Sequence, residues 1–233
     1  MPKKIAVMIC LGDYYGDYTD LSNLNFAYQN ACDLNDKLSA DGWIVFPPVA
    51  NAMASKQYCI DYLTEKIDSL ENDDDWLLFY YVGHGDQYNS TNYDDDYPVY
   101  MVTSIYNTNA DQYSPSSYFT DIDYDKIVQH FKAKALKGHL ITILDCCYAF
   151  GIINNYFSEE TFHTVFAAAN GNAKAAYTDN SFFFKSFKKA WNSGSFDSMK
   201  KVIPIYMKND FQDYSFISTC QIQIATNFQD QNF

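Results

Sequence analysis

The segment Trp76–Val82 (WLLFYYV) is the most apolar strand-like stretch of the chain, and it runs directly into Gly83-His84-Gly85. A short, continuous apolar run bounded by turn residues is typical of a strand that is buried on both faces, as in a parallel sheet. The same pattern occurs at Ile5–Leu11 (IAVMICL) and at His139–Leu144 (HLITIL), and the latter runs into Asp145-Cys146-Cys147. The sequence therefore predicts three buried strands, two of which end in residues with catalytically capable side chains.

Segments with helical spacing alternate with these strands. Apolar residues recur at intervals of three and four through 24–38, 60–70 and 127–136, which predicts three helices. Ser55 and Asp123 are the expected N-caps of the second and third helices, and Gly138 is the expected stop of the third. A further strand is predicted at Trp43–Val49, ended by Pro47-Pro48. Strands that alternate with helices build an α/β fold around a mostly parallel sheet.

The remaining segments have weaker patterns. Gly83–Tyr124 contains seven Asp and no Lys, with one strand-like piece at Val99–Thr103, so it is predicted to be a long loop region or a small hairpin that lines a site. Thr164–Ala169 is predicted as a strand, Phe182–Trp191 as a helix and Phe216–Ile224 as a late strand. No repeat or long linker divides the sequence, which predicts one domain over residues 1–233.

Composition narrows the class of function. Of the 233 residues 48% are hydrophobic, the formal net charge is -13, and all 16 basic residues are lysine. An acidic chain without arginine is a poor candidate for binding DNA or RNA, since those proteins need a cationic surface and guanidinium contacts. No apolar run approaches the roughly 18 residues of a membrane span, and six cysteines without C-x-x-C spacing indicate free thiols. These features predict a soluble, cytoplasmic protein with no nucleic-acid or membrane partner.

The two strand ends carry the residue types of a thiol peptidase. A cysteine attacks as thiolate, and a nearby imidazole such as that of His84 can take its proton and then protonate a leaving amine. Glycines on both sides of His84 allow the backbone to approach a substrate carbonyl, so that an amide N–H can stabilise the developing oxyanion. Cys146 and Cys147 are both candidate nucleophiles. Neighbouring side chains of an extended chain point to opposite faces, so if one of the two reaches the cleft, the other faces the core.

These motifs resemble those of the caspase-like cysteine peptidases, and they are most similar to the metacaspase or orthocaspase-like branch. The family's nucleophile motif reads Asp-x-Cys-(His or Tyr)-Ser-Gly, and Asp145, Cys147 and Tyr148 match it. Ala149-Phe150 depart from it, and Gly151 comes one position late. The resemblance implies a three-layer sandwich with a mostly parallel sheet of about six strands and helices on both faces. Its halves would be 1–150, like a large subunit, and 160–233, like a small subunit.

The resemblance also implies roles for individual residues. Cys147 would be the nucleophile and His84 the general acid and base, with the amides of Gly85 and Cys147 forming the oxyanion hole. Asp145 would lie at the floor of a pocket for Lys or Arg of a protein or peptide substrate, because an acidic floor attracts a cationic side chain. A chain without arginine lacks the guanidinium groups with which caspases recognise aspartate. Asp86 and Asp179 are candidates for a second pocket carboxylate.

Several alternatives stay open at this point. The acidic runs Asp94-Asp95-Asp96 and Asp73-Asp74-Asp75 suggest Ca2+ activation as in some metacaspases, but their spacing does not match an EF-hand loop, and solvated charge is the other interpretation. No metal site or cofactor is predicted. Cys10, Cys32, Cys59 and Cys220 are interpreted as core residues. The chain could also be a weakly active scaffold, which the altered Ala149-Phe150 loop permits, or a related peptidase with another pocket preference.

Overall fold

A mostly parallel sheet forms the centre of the computed structural model, which describes residues 1–13, 22–87, 99–103, 118–154, 161–171, 173–210, 220–231 and 233. Its strands are β1 (Lys4–Cys10), β2 (Ile44–Val45), β3 (Val49–Ala50), β4 (Trp76–Val82), β8 (His139–Asp145), β9 (His163–Ala167) and β10 (Gln221–Gln223). The strand order is β10-β9-β8-β4-β1-β2, and the short strand β3 also pairs with β1. All pairs are parallel except β9 with β10.

Helices cover both faces of this sheet. The face that carries Ile141 and Ile143 packs against α1 (Ala27–Ala40), α5 (Phe182–Ala190) and α6 (Phe196–Asp210). The face that carries Leu140 and Leu144 packs against α2 (Lys56–Asp68), α3 (Asp121–Lys134) and the short helix α4 (Gly151–Asn154). Every residue of the two central strands β4 and β8 is buried between these layers of helices. The predicted three-layer α/β architecture with a sheet of about six strands is confirmed.

A second, three-stranded sheet lies within the stretch that was predicted as a loop region or hairpin. It consists of β5 (Gly85–Gln87), β6 (Val99–Val102) and β7 (Tyr118–Thr120), which pair antiparallel in that order. Its buried residues Met101 and Phe119 belong to the same apolar cluster as α2 and α3. The strand predicted at Val99–Thr103 is thus present, and the small hairpin has one strand more than expected. Asp94-Asp95-Asp96 lie outside the described residues.

The prediction of one continuous strand over Trp43–Val49 is wrong. The segment is divided into β2 and β3, which both pair with β1, and Pro47-Pro48 lie in the gap between them. Proline has no N–H for the ladder and its ring fixes the backbone, so the chain leaves β1 at this point and then returns.

The boundaries of α3 also differ from the prediction. Thr120, and not Asp123, is the N-cap, and the two side chains form a reciprocal capping box. The helix ends at Lys134 instead of continuing to Gly138, and Leu136 is 68% exposed. Position 138 requires glycine for a different reason: a Cβ there would lie 2.2 Å from the backbone oxygen of Asp75, so a side chain would collide with it.

Three further expectations need correction. Asp75 is fully buried and accepts hydrogen bonds from the backbone N–H groups of Lys3, Glu71 and Asn72, so it fixes a turn and is not solvated charge. Cys10 and Cys59 are buried as expected, but the two other cysteines interpreted as core residues are only half-buried, namely Cys32 and Cys220.

Two parts of the C-terminal half also differ. The 15-residue helix α6 was not predicted, since Pro204 lies inside it and proline normally breaks a helix interior. Of the late strand predicted at Phe216–Ile224, β10 (Gln221–Gln223) is present and 211–219 lie outside the described residues.

Candidate active site

The register of the sheet places the two motifs side by side. In the pairing of β4 with β8, Val82 lies opposite Asp145, and the N–H of Gly83 reaches the carbonyl of Asp145 at 3.4 Å. His84 and Cys147 are therefore each two residues beyond the same pair, at the carboxyl edge of the sheet. This edge is where ligands bind in open α/β sheets.

Gly85 and Cys147 are in close backbone contact. A Cβ on Gly85 would lie 2.1 Å from the carbonyl oxygen of Cys147 and 3.2 Å from Sγ of Cys146. Residue 85 must therefore be glycine for the chain after β8 to pass so near the chain after β4. The two strand ends form one site and are not merely at the same edge.

The ring of His84 is oriented by a backbone group. Its Nε2 lies 2.8 Å from the carbonyl oxygen of Ser22. A carbonyl only accepts hydrogen bonds, so Nε2 carries the proton, and Nδ1 is the nitrogen that can take a proton from a thiol. Burial lowers the pKa of His84, while the bond to Ser22 and the charge of Asp86 oppose that shift. The ring is thus neutral near pH 7 and able to act as a base.

The other three histidines lie away from this edge. His139 and His163 begin β8 and β9 and are buried at the opposite, amino ends of those strands. His163 contacts the hydroxyl of Tyr124 at 2.9 Å. His130 lies on α3 and pairs with Asp68 of α2 at 2.9 Å. His84 is therefore the histidine positioned to act with a cysteine that follows β8.

The two adjacent cysteines face different environments. Cys146 is 2% exposed and belongs to the apolar cluster on the α2 and α3 face, whereas Cys147 is half-buried, with Sγ 3.9 Å from the carbonyl oxygen of Ala175. Burial raises the pKa of the Cys147 thiol, and the charge of Lys174 opposes this. Burial also raises the pKa of Cys146, well above its ordinary value. The alternation expected from the sequence is present, and Cys147 is the accessible thiol.

The loop after Cys147 shows where the displaced glycine of the motif lies. Tyr148 has a φ of 54°, in the left-handed region, and its N–H donates to Ala173 at 2.8 Å. Gly151 then crosses Gly171, where a Cβ on either residue would lie within about 3.2 Å of the other's backbone. The glycine that comes one position late is thus placed where the loop meets the segment that follows β9.

Asp145 lies beneath this loop on the α1 and α5 face. It is 5% exposed, its Oδ1 accepts from the hydroxyl of Ser181 at 2.6 Å, and its Oδ2 lies 3.5 Å from the hydroxyl of Tyr80. Burial raises the pKa of Asp145 to about 7, although both hydrogen bonds favour the charged form. A carboxyl group with this pKa gains or loses its charge near neutral pH, so a nearby cation would ionise it.

The other two candidate pocket carboxylates are both exposed. Asp86 follows Gly85 in β5, and its charge acts on both His84 and Cys147. Asp179 is paired with Lys185 at 2.8 Å, and this bond lowers the pKa of Asp179 to about 2. Asp86 therefore lies beside the pair, whereas the charge of Asp179 is already balanced by a lysine of α5.

The comparison with protein families shows which family the chain belongs to. The sequence model of the family described as Caspase domain matches residues 3–216. The chain belongs to the caspase domain family. No curated protein sequence matches it.

Solved structures agree with the caspase fold. A protein from Geobacter sulfurreducens aligns with a TM-score of 0.73 at 15% identity, over 99% of this chain and 98% of that one. Caspase-1 from Spodoptera frugiperda aligns with a TM-score of 0.66 at 11% identity, over 100% of this chain and 92% of that one. At these identities the likeness shows the fold.

The caspase-like site contains groups that the sequence did not reveal. The carbonyl of Ser22 has no side-chain signal, because any residue supplies one. Ser181 could have been found, since it directly precedes the predicted helix at Phe182 and serine is a preferred N-cap. Among the described residues, no three His, Cys, Asp or Glu side chains are grouped to hold a metal ion. Nor does that part of the chain contain a helix long and apolar enough to cross a membrane.

Proposed function

We propose that the protein is a cysteine endopeptidase that cleaves peptide bonds after Lys or Arg. The observation that carries the proposal is the placement of His84 and Cys147, each two residues beyond the paired Val82 and Asp145, with Nε2 of His84 bonded to the Ser22 carbonyl. A thiol, a neutral imidazole and a group that orients the imidazole are the parts of a nucleophilic catalyst.

The reaction proceeds in two stages. Sγ of Cys147 attacks the substrate carbonyl carbon while its proton passes to Nδ1 of His84. The resulting oxyanion is stabilised by the N–H groups of Gly85 and Cys147. His84 then gives the proton to the leaving amine, the C–N bond breaks and a thioester remains. Water, deprotonated by His84, hydrolyses that thioester and restores the thiol.

The structure of β5 supports the part given to Gly85. Gly85 lies opposite Met101 of β6, and the ladder bond runs from the N–H of Val102 to the carbonyl of His84. In an antiparallel pair, hydrogen-bonded and non-bonded positions alternate. Gly85 is at a non-bonded position, so its N–H points away from β6 and is available to an oxyanion.

The preference for a basic residue rests on Asp145 and on composition. Asp145 is two residues before the nucleophile and is buried beside it, and a Lys or Arg side chain would convert it to the charged form on binding. The chain has no arginine with which to bind an aspartate side chain. Asp86 would add a second negative charge near the pair, and Asp179 a third once Lys185 is displaced.

The remaining expectations are part of the same proposal. The motif Asp145-x-Cys147-Tyr148 and the basic preference favour the metacaspase branch over caspases that cleave after aspartate. One domain would carry both halves, with β8 and β9 adjacent in one sheet. No cofactor would be needed for the two stages above. Six free cysteines favour a reducing compartment such as the cytoplasm.

Fluorogenic peptides with Lys, Arg or Asp before the scissile bond test the proposal, each with and without Ca2+. We expect turnover of the Lys and Arg peptides by the wild type, and a loss on the order of a thousandfold or more in Cys147→Ala. Cys146→Ala is the matched control and should retain activity. Equal inactivity of the wild type and Cys147→Ala on all peptides would favour a scaffold. Loss of turnover only in Cys146→Ala would reverse the assignment of the nucleophile.

A further inference from the structure

A serine outside the catalytic pair holds the carboxyl group of Asp145. Oγ of Ser181 donates to Oδ1 of Asp145 at 2.6 Å, and the two residues are only 3% and 5% exposed. Ser181 is also the N-cap of α5, where Oγ accepts from the N–H of Phe184 at 3.1 Å. A hydroxyl has one hydrogen and two lone pairs, so the serine can cap the helix and donate to the carboxyl at once.

Tyr80 approaches the same carboxyl from β4, but less closely. Its hydroxyl lies 3.5 Å from Oδ2 of Asp145, and its ring stacks on Phe184 with centroids 5.8 Å apart. The short contact to Ser181 is therefore the one that fixes the carboxyl. Ser181 is in the same chain segment as Ala175, whose carbonyl oxygen lies near Sγ of Cys147. This segment therefore contacts both Asp145 and Cys147.

We infer that Ser181 is a positioning residue that sets the preference for a cationic substrate side chain, because it holds Asp145 in place and stabilises its charged form. This rests on the proposed function, since it concerns the pocket of the same peptidase. A hydrogen bond donated to a carboxylate is stronger than one donated to a neutral acid. Ser181 thus opposes the effect of burial, which favours the uncharged form.

The neighbours of Asp145 do not change their charge near neutral pH. Tyr80 faces it from β4, Cys146 and Cys147 follow it in the chain, and Asn30 of α1 bonds to Tyr80. Burial raises the pKa of Tyr80, Cys146 and Cys147. All three are therefore uncharged near pH 7, so among these neighbours Asp145 is the group whose charge changes there.

The inference is tested by the kinetics of two peptides. They are identical except that one has lysine and the other norleucine before the scissile bond. In Ser181→Ala we expect kcat/KM for the lysine peptide, relative to the norleucine peptide, to fall about tenfold. The fall should come from a higher KM for the lysine peptide, while kcat for the norleucine peptide stays unchanged. Ser181→Thr keeps the hydroxyl and should restore the ratio. Ser186→Ala is the control, because Ser186 is buried on α5 and its hydroxyl has no partner among the described residues. An equal loss on both peptides would show a merely structural role and overturn the inference.

A titration that needs no activity keeps the two proposals distinguishable. In protein labelled with 13C-aspartate, the Asp145 carboxyl signal is identified by its absence in Asp145→Asn. We expect its midpoint to lie about one pH unit higher in Ser181→Ala than in the wild type. An unchanged midpoint would overturn the inference even in an inactive protein. Absence of turnover with a shifted midpoint would instead count against the peptidase activity alone.

Discussion

Gly85 lies so close to the carbonyl oxygen of Cys147 that a Cβ at position 85 would be 2.1 Å from it. The contact joins the strand end that carries His84 to the one that carries Cys147, which are the proposed base and the proposed nucleophile. Backbone oxygen cannot rotate away as a side chain does, so Gly85→Ala must move one of the two loops. We expect Gly85→Ala to lose nearly all peptidase activity and about 3 kcal/mol of unfolding free energy, measured by peptide kinetics and urea unfolding.

Gly42→Ala provides the control for this substitution. Gly42 has a φ of 84°, but a Cβ there would have no neighbour within 4 Å, so alanine adds backbone strain of about 1–2 kcal/mol without a collision. Its activity should stay at the wild-type level. Full activity in Gly85→Ala would show that the approach of Gly85 to Cys147 is not required for catalysis.

The protonation of the catalytic pair gives a second prediction. Burial raises the pKa of Cys147 above its ordinary value of 9.0 and lowers that of His84 below 6.5. Thiol and imidazole are therefore both uncharged at pH 7, and the thiolate fraction grows only as the pH approaches the raised pKa. The rate of Cys147 alkylation by iodoacetamide should rise continuously from pH 6 to pH 9, as followed by peptide mass spectrometry.

The same experiment distinguishes a neutral thiol and imidazole from a thiolate–imidazolium ion pair. A preformed thiolate and imidazolium would give a rate that is already constant below pH 7, and that result would contradict the prediction. Cys146 is fully enclosed and should remain unmodified in the folded protein, which makes it an internal control. Lys174→Gln should slow alkylation further, since the charge of Lys174 favours the thiolate.

The fold could be predicted because its strands are buried on both faces. Every residue of Trp76–Val82 and His139–Asp145 is buried and most are apolar, so hydrophobic runs marked them without any knowledge of partners. The helix α6 could not be found in this way, because Pro204 at position nine of its 15 residues conflicts with local propensity. Packing of Phe196, Met199 and Ile203 against the sheet face overrides it.

The site was only partly predictable for a different reason. His84 and Cys147 each follow a recognisable strand, whereas Ser22 acts through its backbone and leaves no trace in residue type. The contact of Ser181 with Asp145 spans 36 positions and depends on how α5 docks on the sheet. Tertiary packing creates these partners, so spacing along the chain cannot reveal them.

Lysine placement predicts that the peptidase stays in one piece. The chain has no lysine between Lys137 and Lys174, so an enzyme specific for basic residues cannot cut itself in the segment that follows the nucleophile loop. Purified active protein should give a single intact mass of about 26.8 kDa, the same as Cys147→Ala purified in parallel. Two chains divided between Gly151 and Glu160 would contradict both the prediction and the basic specificity. Lys174 and Lys185 are the nearest possible self-cleavage sites after this segment.

Buried histidines make the fold sensitive to acid. Burial lowers the pKa of His163 from 6.5 to about 3 and that of His139 well below 6.5, so below pH 6.5 the unfolded chain takes up protons that the folded one does not. Each ring therefore lowers the free energy of unfolding as the pH falls below 6.5. Asp145 has the opposite effect on the free energy of unfolding between pH 7 and 3.8. Its pKa is raised in the folded protein, so there the folded state binds a proton that the unfolded chain does not. Urea unfolding should show a free energy of unfolding that falls from pH 6 to pH 4.5, more steeply in Asp145→Asn and less steeply in His163→Gln. A free energy of unfolding that does not change over this range would exclude the account.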